Sequence, residues 1–499
     1  MSVSNDGIKK ESFTTRWGLI VSVLGIAIGT GNIWRFPRIA ANNGGEDGAG
    51  AFLIAWLTFL LLWSIPLIIA EYAIGRSTSK GTIGSFVKLI GDKFAWMGGF
   101  VGFVAMAIMF YYSVVTGWCI YYFGSTLFFP LPENSLAALA HWDAFQSSWL
   151  PIVFHGVAMI CAGFIILIGV KAIERVNKIL IPILLLILLI SFIRAVTLPG
   201  SWDGIQYLFT PDWSTLKNPN IWLEALTQNA WDTGAGWGLI LTYGAYMRKT
   251  DNITLTAIQT GFGNNLISLV SAVIIFSTVF GTLGSTMNSA QILEVMQTSG
   301  PASTGLTFIW MPQLFLEIPG GRIFAIMFFL ALSFAAFSSL ISMVELSSKT
   351  FVDVGISRKK STFWICLGAF IFGVPSAMNL DVFANQDFVW GLGLLISGAF
   401  IAFVVIQSGA TEFRVQNINI SDGGAIRTGA WFDLMIKYII PTEAIVLVGW
   451  WIYRSAFEFA PETWFNPLDP YSVATCLVQF GIVAGVLLIF NKKIASMQV

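Results

Sequence analysis

Charged side chains are scarce in this sequence, and their scarcity excludes an ordinary soluble protein. Only 11% of the 499 residues are Asp, Glu, Lys or Arg, whereas a soluble domain has roughly 25%. The 27 basic residues are balanced by 27 acidic residues, so no net positive charge points to nucleic acid as a partner.

Cysteine and histidine are also rare, which argues against metal chemistry and Ser–His catalysis. All four cysteines fall in apolar stretches, without the spacing of metal ligands or of a loop disulfide: Cys119, Cys161, Cys366 and Cys476. We interpret the two well-separated histidines, His141 and His155, as packing residues. The polar first eleven residues predict no cleavable signal peptide.

Long apolar runs are abundant instead. Hydrophobic residues make up 56% of the chain, and charge-free runs of about 20 residues, enough to span a bilayer, recur throughout. We predict an all-α polytopic membrane protein with twelve transmembrane helices. Their approximate limits are 16–40, 48–74, 94–124, 149–170, 178–198, 221–247, 253–283, 321–352, 361–379, 383–407, 431–456 and 468–491. In the outer loop 284–320, "SAQILEVMQTSG" and "GLTFIWMPQLF" are typical of short helices.

The distribution of Lys and Arg predicts the orientation in the membrane. With the N-terminus placed inside, 21 of the 27 basic residues fall in inner segments and six in outer segments. Because positive residues accumulate on the cytoplasmic side, we expect residues 1–15 and the tail 492–499 to be cytoplasmic and the protein to lie in the cell membrane.

Two of the predicted spans contain glycine clusters. Span 1 is interrupted by "GTG" at 29–31, and span 6 by "GAGWG" at 234–238. The two breaks lie five spans apart, and an odd number of spans per repeat inserts the second copy upside down. This predicts two inverted repeats, 16–198 and 221–407, followed by the last two spans at 431–491. Unwound backbone within a membrane is tolerated beside a protein-lined cavity, so we predict a binding site near the midplane, between the repeats.

Polar residues cluster near the two breaks. Freed N–H groups at a helix start favour a carboxylate, and freed carbonyls favour a dehydrated cation. The nearby amides and hydroxyls suit an alkali cation; they are Asn32, Gln228, Asn229, Thr233, Asn264, Asn265, Ser338, Ser339 and Ser342. Asp232 is a carboxylate deep in a span, which indicates a functional group; the alternative is a protonated acid that bonds two helices together.

These motifs resemble a known family. The stretch "RWGLIVSVLGIAIGTGNIWRFP", followed by "GAFLIAW", "IPLIIAEYAIGR" and "TYGAYMRK", is similar to the neurotransmitter:sodium symporter family, whose members share the fold of the bacterial leucine transporter. The resemblance extends from about residue 10 to the last span. It implies a transporter without covalent chemistry, with two sodium sites and no organic cofactor.

The resemblance also implies site residues, position by position. The first sodium site is expected at Ala27, Asn32, Asp232 and Asn264, with the substrate carboxylate as a further ligand. The second is expected at Gly25, Ile28, Ala335, Ser338 and Ser339. Substrate is expected to contact Ala27, Gly29, Thr30, Gly31, Tyr112, Trp231, Gly234, Trp237, Ser339 and Met343. The implied outer gate is Arg35 with Asp387, and the implied inner latch is Lys10 with Asp353, aided by Tyr246.

Several positions depart from the family pattern. Asp232 stands where Thr or Ser is usual, Trp56 where Tyr is frequent, and Lys10 and Phe13 where Arg and Trp are common. Chloride-independent bacterial members often have Glu at the position of Ser268. Here Ser268 alone would suggest chloride dependence, but Asp232 brings a negative charge to the same corner, which also includes Gln228, Asn264 and Trp56. We therefore expect chloride-independent transport.

The sequence thus predicts a sodium-coupled symporter for a small amino acid that works by alternating access. Monoamine-selecting members of the resembled family carry an acid at the position of Gly29, so the resemblance implies a substrate that brings its own carboxylate. Trp231 and Trp237 narrow the pocket toward glycine or alanine, although Gly234 opens space. The alternative is a proton-coupled amino acid or amine carrier that uses Asp232. A channel would need a continuous polar stripe, which the clustered polar residues do not form. The oligomeric state stays open.

Overall fold

The protein is helical throughout the part that its computed structural model describes, residues 11–297, 305–420 and 426–498. Within these residues the only β-type pairing is an isolated bridge between Ala49 and Pro211. The α-helices, in chain order, are α1 (Arg16–Ala27), α2 (Phe36–Asn42), α3 (Gly50–Phe59), α4 (Ile65–Thr78), α5 (Thr82–Ile90), α6 (Ala95–Phe128), α7 (Ser135–Gln146), α8 (Leu150–Ile168), α9 (Val170–Val196), α10 (Ser201–Phe209), α11 (Pro219–Asp232), α12 (Leu239–Gly244), α13 (Ile253–Leu283), α14 (Ser289–Gln297), α15 (Met311–Leu316), α16 (Gly321–Val352), α17 (Arg358–Met378), α18 (Leu380–Gln407), α19 (Ala410–Phe413), α20 (Trp431–Leu434), α21 (Ile440–Arg454), α22 (Val473–Ile489) and α23 (Asn491–Ser496).

Within the described residues, eight continuous helical stretches are long and apolar enough to cross a bilayer, and a ninth is the bent pair Arg16–Ala27 and Gly31–Asn42. Predicted span 6 consists of two shorter helices, α11 and α12, and span 12 of α22 alone, whereas in span 11 the π-helical turn Met435–Ile439 joins α20 to α21 in one helical run. The predicted all-α polytopic architecture is confirmed. The short helices expected in the outer loop are also present, as α14 and as a π-helical turn (Leu306–Trp310) continued by α15.

The helices differ in how much of their surface they bury. In the most apolar window of α6, 78% of the residues are buried, but in that of α9 only 28% are. Leu186 and Ile193 of α9 and Phe164 of α8 are more than half exposed. Because large exposed apolar surfaces are unfavourable in water, these outer faces are suited to lipid chains.

The first span is broken where its glycines predict. Helix α1 ends at Ala27, Ile28 leaves the helical conformation (φ −78°, ψ 88°), and a π-helical turn starts again at Gly31 and leads into α2. The two halves meet at an angle of 55°. Residues 28–30 therefore carry backbone groups that lie outside a regular helix.

The second break separates α11, which ends at Asp232, from α12, which begins at Leu239. Gly234, Gly236 and Gly238 between them have φ values of 68°, 90° and 78°. Glycine adopts this left-handed region without the steric cost of a Cβ atom. The cluster "GAGWG" thus supplies the conformations that the break requires.

Candidate substrate and ion sites

The two breaks border one cavity of about 230 Å³. All ten residues predicted to bind substrate line it: Ala27, Gly29, Thr30, Gly31, Tyr112, Trp231, Gly234, Trp237, Ser339 and Met343. Arg35 and Asp387, predicted as the outer gate, line it as well, and so do Arg38 and Tyr111, which the sequence analysis did not single out. Substrate binding by these residues stays a prediction, but they share one space.

Gly29 lies at the most crowded side of this cavity. A Cβ atom built on Gly29 would lie 3.1 Å from the Tyr112 hydroxyl and 3.3 Å from Ser339 Oγ. The same hydroxyl accepts a hydrogen bond from the Thr30 backbone N–H at 3.3 Å. The missing side chain therefore lets a phenol, a hydroxyl and unwound backbone converge, and these groups can bind a carboxylate.

Two indoles form the opposite wall. The rings of Trp231 and Trp237 are 5.4 Å apart and nearly perpendicular. Trp237 Nε1 donates to the Ala230 carbonyl at 3.2 Å, which fixes the ring. The Arg35 guanidinium lies 5.2 Å from the centre of the Trp231 ring, on the outer side of the cavity.

A fully buried carboxylate holds the second break in place. Glu71 Oε1 accepts from the Gly236 N–H at 2.6 Å, and Glu71 Oε2 accepts from the Leu241 N–H at 3.0 Å. These are N–H groups that the interrupted helix leaves without helical partners. The sequence analysis missed Glu71, although an acid within the apolar motif "IPLIIAEYAIGR" is itself a signal of function.

Oxygen atoms converge where the first sodium site is predicted. One end of the Asn264 amide lies 3.0 Å from the Ala27 carbonyl oxygen and 3.1 Å from the Asp232 carbonyl oxygen. It also lies 2.7 Å from Asn32 Nδ2. With its nitrogen at that end, Asn264 donates to both carbonyls; with its oxygen there, three oxygen atoms meet, an arrangement that a cation stabilises. Ala27, Asp232 and Asn264 can thus present oxygen atoms to a sodium ion, whereas Asn32 turns its Nδ2 to this cluster and its Oδ1 accepts from the Gly29 N–H at 2.8 Å.

The Asp232 side chain belongs to the same polar cluster. Its Oδ1 accepts from Gln228 Nε2 at 2.7 Å, and its Oδ2 accepts from Ser268 Oγ at 3.2 Å. Ser268 Oγ in turn accepts from Asn32 Nδ2 at 2.8 Å. A fixed negative group therefore adjoins the predicted first sodium site. The Trp56 indole N–H, also expected at this corner, is buried and has no hydrogen-bond partner among the described residues.

The second predicted sodium site lies between α1 and α16. Ser339 Oγ approaches the Gly25 carbonyl at 3.3 Å and the Ile26 carbonyl at 3.2 Å, and Ser338 Oγ donates to the Ala335 carbonyl at 3.0 Å. Hydroxyls and carbonyls of two helices thus face each other at the end of α1, where Ile28 leaves the helix. This oxygen-rich set also fits a hard cation.

The two residues of the predicted outer gate are not joined in this structure. The contacts of the described residues include no ion pair between Arg35 and Asp387 with a nitrogen–oxygen distance of 4.0 Å or less. Asp387 instead accepts from the Tyr111 hydroxyl at 3.1 Å, and Arg35 faces Trp231. A gating role for this pair stays a prediction, and the cavity extends to both residues.

At the predicted inner latch, the pairing of Lys10 with Asp353 stays a prediction. Lys10 lies outside the described residues, and Asp353 pairs with Lys349 and accepts from the Gly81 N–H at 2.5 Å. The Tyr246 hydroxyl donates to Glu345.

Glu345 also pairs with Arg358 at 2.8 Å, and Arg358 contacts Glu11 of the N-terminal segment. Tyr246, Glu345, Arg358 and Glu11 therefore form what we call the inner network. Glu345 and Arg358 are visible in the sequence as charges at the inner ends of predicted spans, but nothing in their spacing indicates that they pair.

Comparison with known proteins decides the family. The model of the sodium:neurotransmitter symporter family matches residues 10–149 and 143–495, almost the whole chain. The chain belongs to this family. It is therefore a sodium-dependent transporter and not an enzyme, and it is a multi-pass membrane protein.

Relatives of this symporter include an uncharacterised sodium-dependent transporter of Methanocaldococcus jannaschii, 35% identical over 87% of this chain and 89% of the relative. YhdH of Bacillus subtilis, also described as a sodium-dependent transporter, is 28% identical over 88% of this chain and 97% of its own length. Among solved structures, MhsT in complex with L-phenylalanine matches with a TM-score of 0.75 and 28% identity, covering 88% of this chain and 98% of that one. The fold and the sodium dependence implied by the motifs are thereby confirmed.

Proposed function

We propose that this transporter is a sodium-coupled symporter for a small amino acid, independent of chloride and working by alternating access. The observation that carries the proposal is the convergence of the Ala27 and Asp232 carbonyl oxygens on the Asn264 amide beside the substrate cavity. A cation there can share its coordination with the carboxylate of a substrate in the cavity. This arrangement would make sodium and substrate bind together, which symport requires.

Two sodium ions and a neutral amino acid fit the rest of the geometry. The contacts between α1 and α16 at Ser338 and Ser339 support a second sodium site. The two indoles limit the space for a substrate side chain, which favours glycine or alanine. MhsT was crystallised with L-phenylalanine. A preference for a side chain of that size over alanine would therefore contradict this part of the proposal.

The proposed orientation places both termini in the cytoplasm, because 21 of 27 basic residues then lie on the inner side. Glu11 and Arg358 of the inner network are then both cytoplasmic. In this orientation, the cavity that reaches Arg35 and Asp387 extends toward the outside.

Uptake into proteoliposomes tests the function directly. We expect an inward sodium gradient to drive accumulation of labelled alanine or glycine, with sodium gluconate as effective as sodium chloride. Unlabelled amino acids, including phenylalanine, compete in parallel assays, and thermal shift with and without sodium measures binding. Phenylalanine competing far better than alanine would refute the small-substrate proposal.

The same vesicles test the second candidate, proton coupling through Asp232. This carboxylate is buried and forms no ion pair in the described structure, which makes a protonated form conceivable in the absence of sodium. Uptake driven by an inward proton gradient in sodium-free buffer would support it. Uptake that needs sodium and persists with a protonophore would exclude it.

A further inference from the structure

An asparagine on α9 faces the proposed second sodium site, although that helix contributes none of the expected ligands. Asn177 is fully buried, and neither its Oδ1 nor its Nδ2 has a hydrogen-bond partner among the described residues. A side-chain amide has two donors and an acceptor oxygen, and leaving them unpaired in the interior is unfavourable. Such a group in a native structure needs an explanation.

Asn177 lies where α1, α9 and α16 meet. A Cβ atom built on Gly25 would lie 3.3 Å from Asn177 Oδ1 and 3.3 Å from Ser338 Cβ. Gly25 and Ser338 are both among the residues expected to hold the second sodium ion. Because Gly25 has no side chain, the amide oxygen can come close to the α1 backbone at this site.

A second unpartnered polar group lies on the same surface of α1. One face of α1 presents Gly18, Ser22 and Gly25 to α9. Gly18 lies against the Glu174 side chain, and Gly25 lies against the Asn177 side chain. Ser22 between them is fully buried, and its Oγ has no hydrogen-bond partner within the described part of the chain. Between α1 and α9, buried polar atoms of Ser22 and Asn177 therefore lack hydrogen-bond partners among the described residues.

We propose that Asn177 contributes its Oδ1 to the second sodium ion, directly or through one water molecule. Amide oxygens are suitable ligands for hard cations, and a cation would occupy the acceptor that the protein leaves unpaired. Sodium would then connect α9, as well as α16, to the inner half of the broken span. This inference rests on the proposed function, because it assumes the second sodium site.

The test measures sodium binding to the purified full-length protein without substrate. Binding of ²²Na⁺ and the rise of the thermal midpoint with NaCl are compared for the wild type, Asn177→Leu and Asn177→Asp. Ser277→Ala on α13 is the control, because it removes another buried hydroxyl without a partner among the described residues, outside both predicted sites.

For Asn177→Leu we expect half-saturation at a sodium concentration about tenfold to a hundredfold higher, the usual cost of losing a supporting ligand. The sodium-free thermal midpoint should stay equal or rise, because an unpaired amide is replaced by an apolar group of similar size. Asn177→Asp keeps an oxygen and adds charge, so it should bind sodium at least as tightly as the wild type. Ser277→Ala should leave sodium binding unchanged.

Wild-type sodium affinity in Asn177→Leu would overturn the inference and leave the proposed function standing. If the leucine variant does not fold, Asn177→Ala decides, because it removes the amide oxygen without adding bulk or charge, and wild-type sodium affinity in that variant would equally overturn the inference. A wild-type protein that binds no sodium would instead overturn the proposed function itself.

Discussion

Replacing Asp232 by serine tests whether a fixed carboxylate takes the place of a chloride ion at the first sodium site. The Asp232 carbonyl lies 3.1 Å from the Asn264 amide, and its carboxylate bonds to Gln228 and Ser268. For the magnitude, we take a separation of about 5 Å between a cation held at that carbonyl and the carboxylate. At an effective dielectric constant of about 20, the attraction between the two charges is about 3 kcal/mol, roughly a hundredfold in sodium affinity.

Asp232→Ser should therefore lose most sodium-driven alanine uptake when gluconate is the anion. The shorter side chain leaves space beside the donors of Gln228 and Asn32, and a chloride ion there would restore the missing negative charge. Uptake by this variant should recover at least in part as chloride replaces gluconate. The assay is initial-rate uptake in proteoliposomes, with sodium titrated at each chloride concentration.

Asp232→Asn is the matched control for this experiment. It has nearly the same shape as aspartate but no charge, so it should lose sodium affinity and leave no space for chloride to restore it. If wild-type uptake collapses when chloride is removed, or if chloride fails to rescue the serine variant although it folds and binds substrate, the charge-replacement reasoning is refuted.

Three further variants test other parts of the site. Asp387→Asn should reduce uptake severalfold and leave equilibrium ²²Na⁺ binding unchanged, because the charge acts when the outer gate closes; unchanged uptake would remove it from the mechanism. Glu71→Gln should lower stability by about 1–3 kcal/mol in thermal unfolding, because an amide cannot accept from both backbone N–H groups; an unchanged midpoint would contradict this. Gly29→Ala should weaken alanine binding at least tenfold in thermal-shift titrations, since its methyl group would lie 3.1 Å from the Tyr112 hydroxyl, whereas Gly485→Ala, with open space at its Cβ, should not.

The architecture was predictable because its signals are local. Twenty apolar residues without charge satisfy the same physical condition wherever they occur in the chain, and the clusters "GTG" and "GAGWG" mark backbone that cannot remain regular helix. The family motifs then gave positions for ten cavity residues that are distant in sequence. Spans 6 and 12 were harder to delimit, since α11, α12 and α22 do not individually meet the length of a bilayer.

Partners across helices were less predictable, because a sequence states which charges exist but not which ones meet. Asp353 was assigned to Lys10, which lies outside the described residues; among the described residues it pairs with Lys349, one helical turn away on α16. Glu345 was overlooked, although its burial makes Arg358 its necessary counterion. The orphaned amide of Asn177 is likewise a property of three-dimensional packing that no spacing rule reveals.

The two sides of the cavity suggest how the proposed coupling operates. The outer pair, Arg35 and Asp387, is apart, whereas the inner network is joined through Arg358 and the buried Glu345. Inward opening would separate this inner pair, and separating a buried charge pair is costly unless another interaction offsets it. A ligand shifts such an equilibrium only by its different affinities for the two states. Sodium and substrate must therefore bind more tightly to the state in which the outer pair is closed than to the state in which it is apart. We expect that both ligands together are needed to offset the separation of the inner pair.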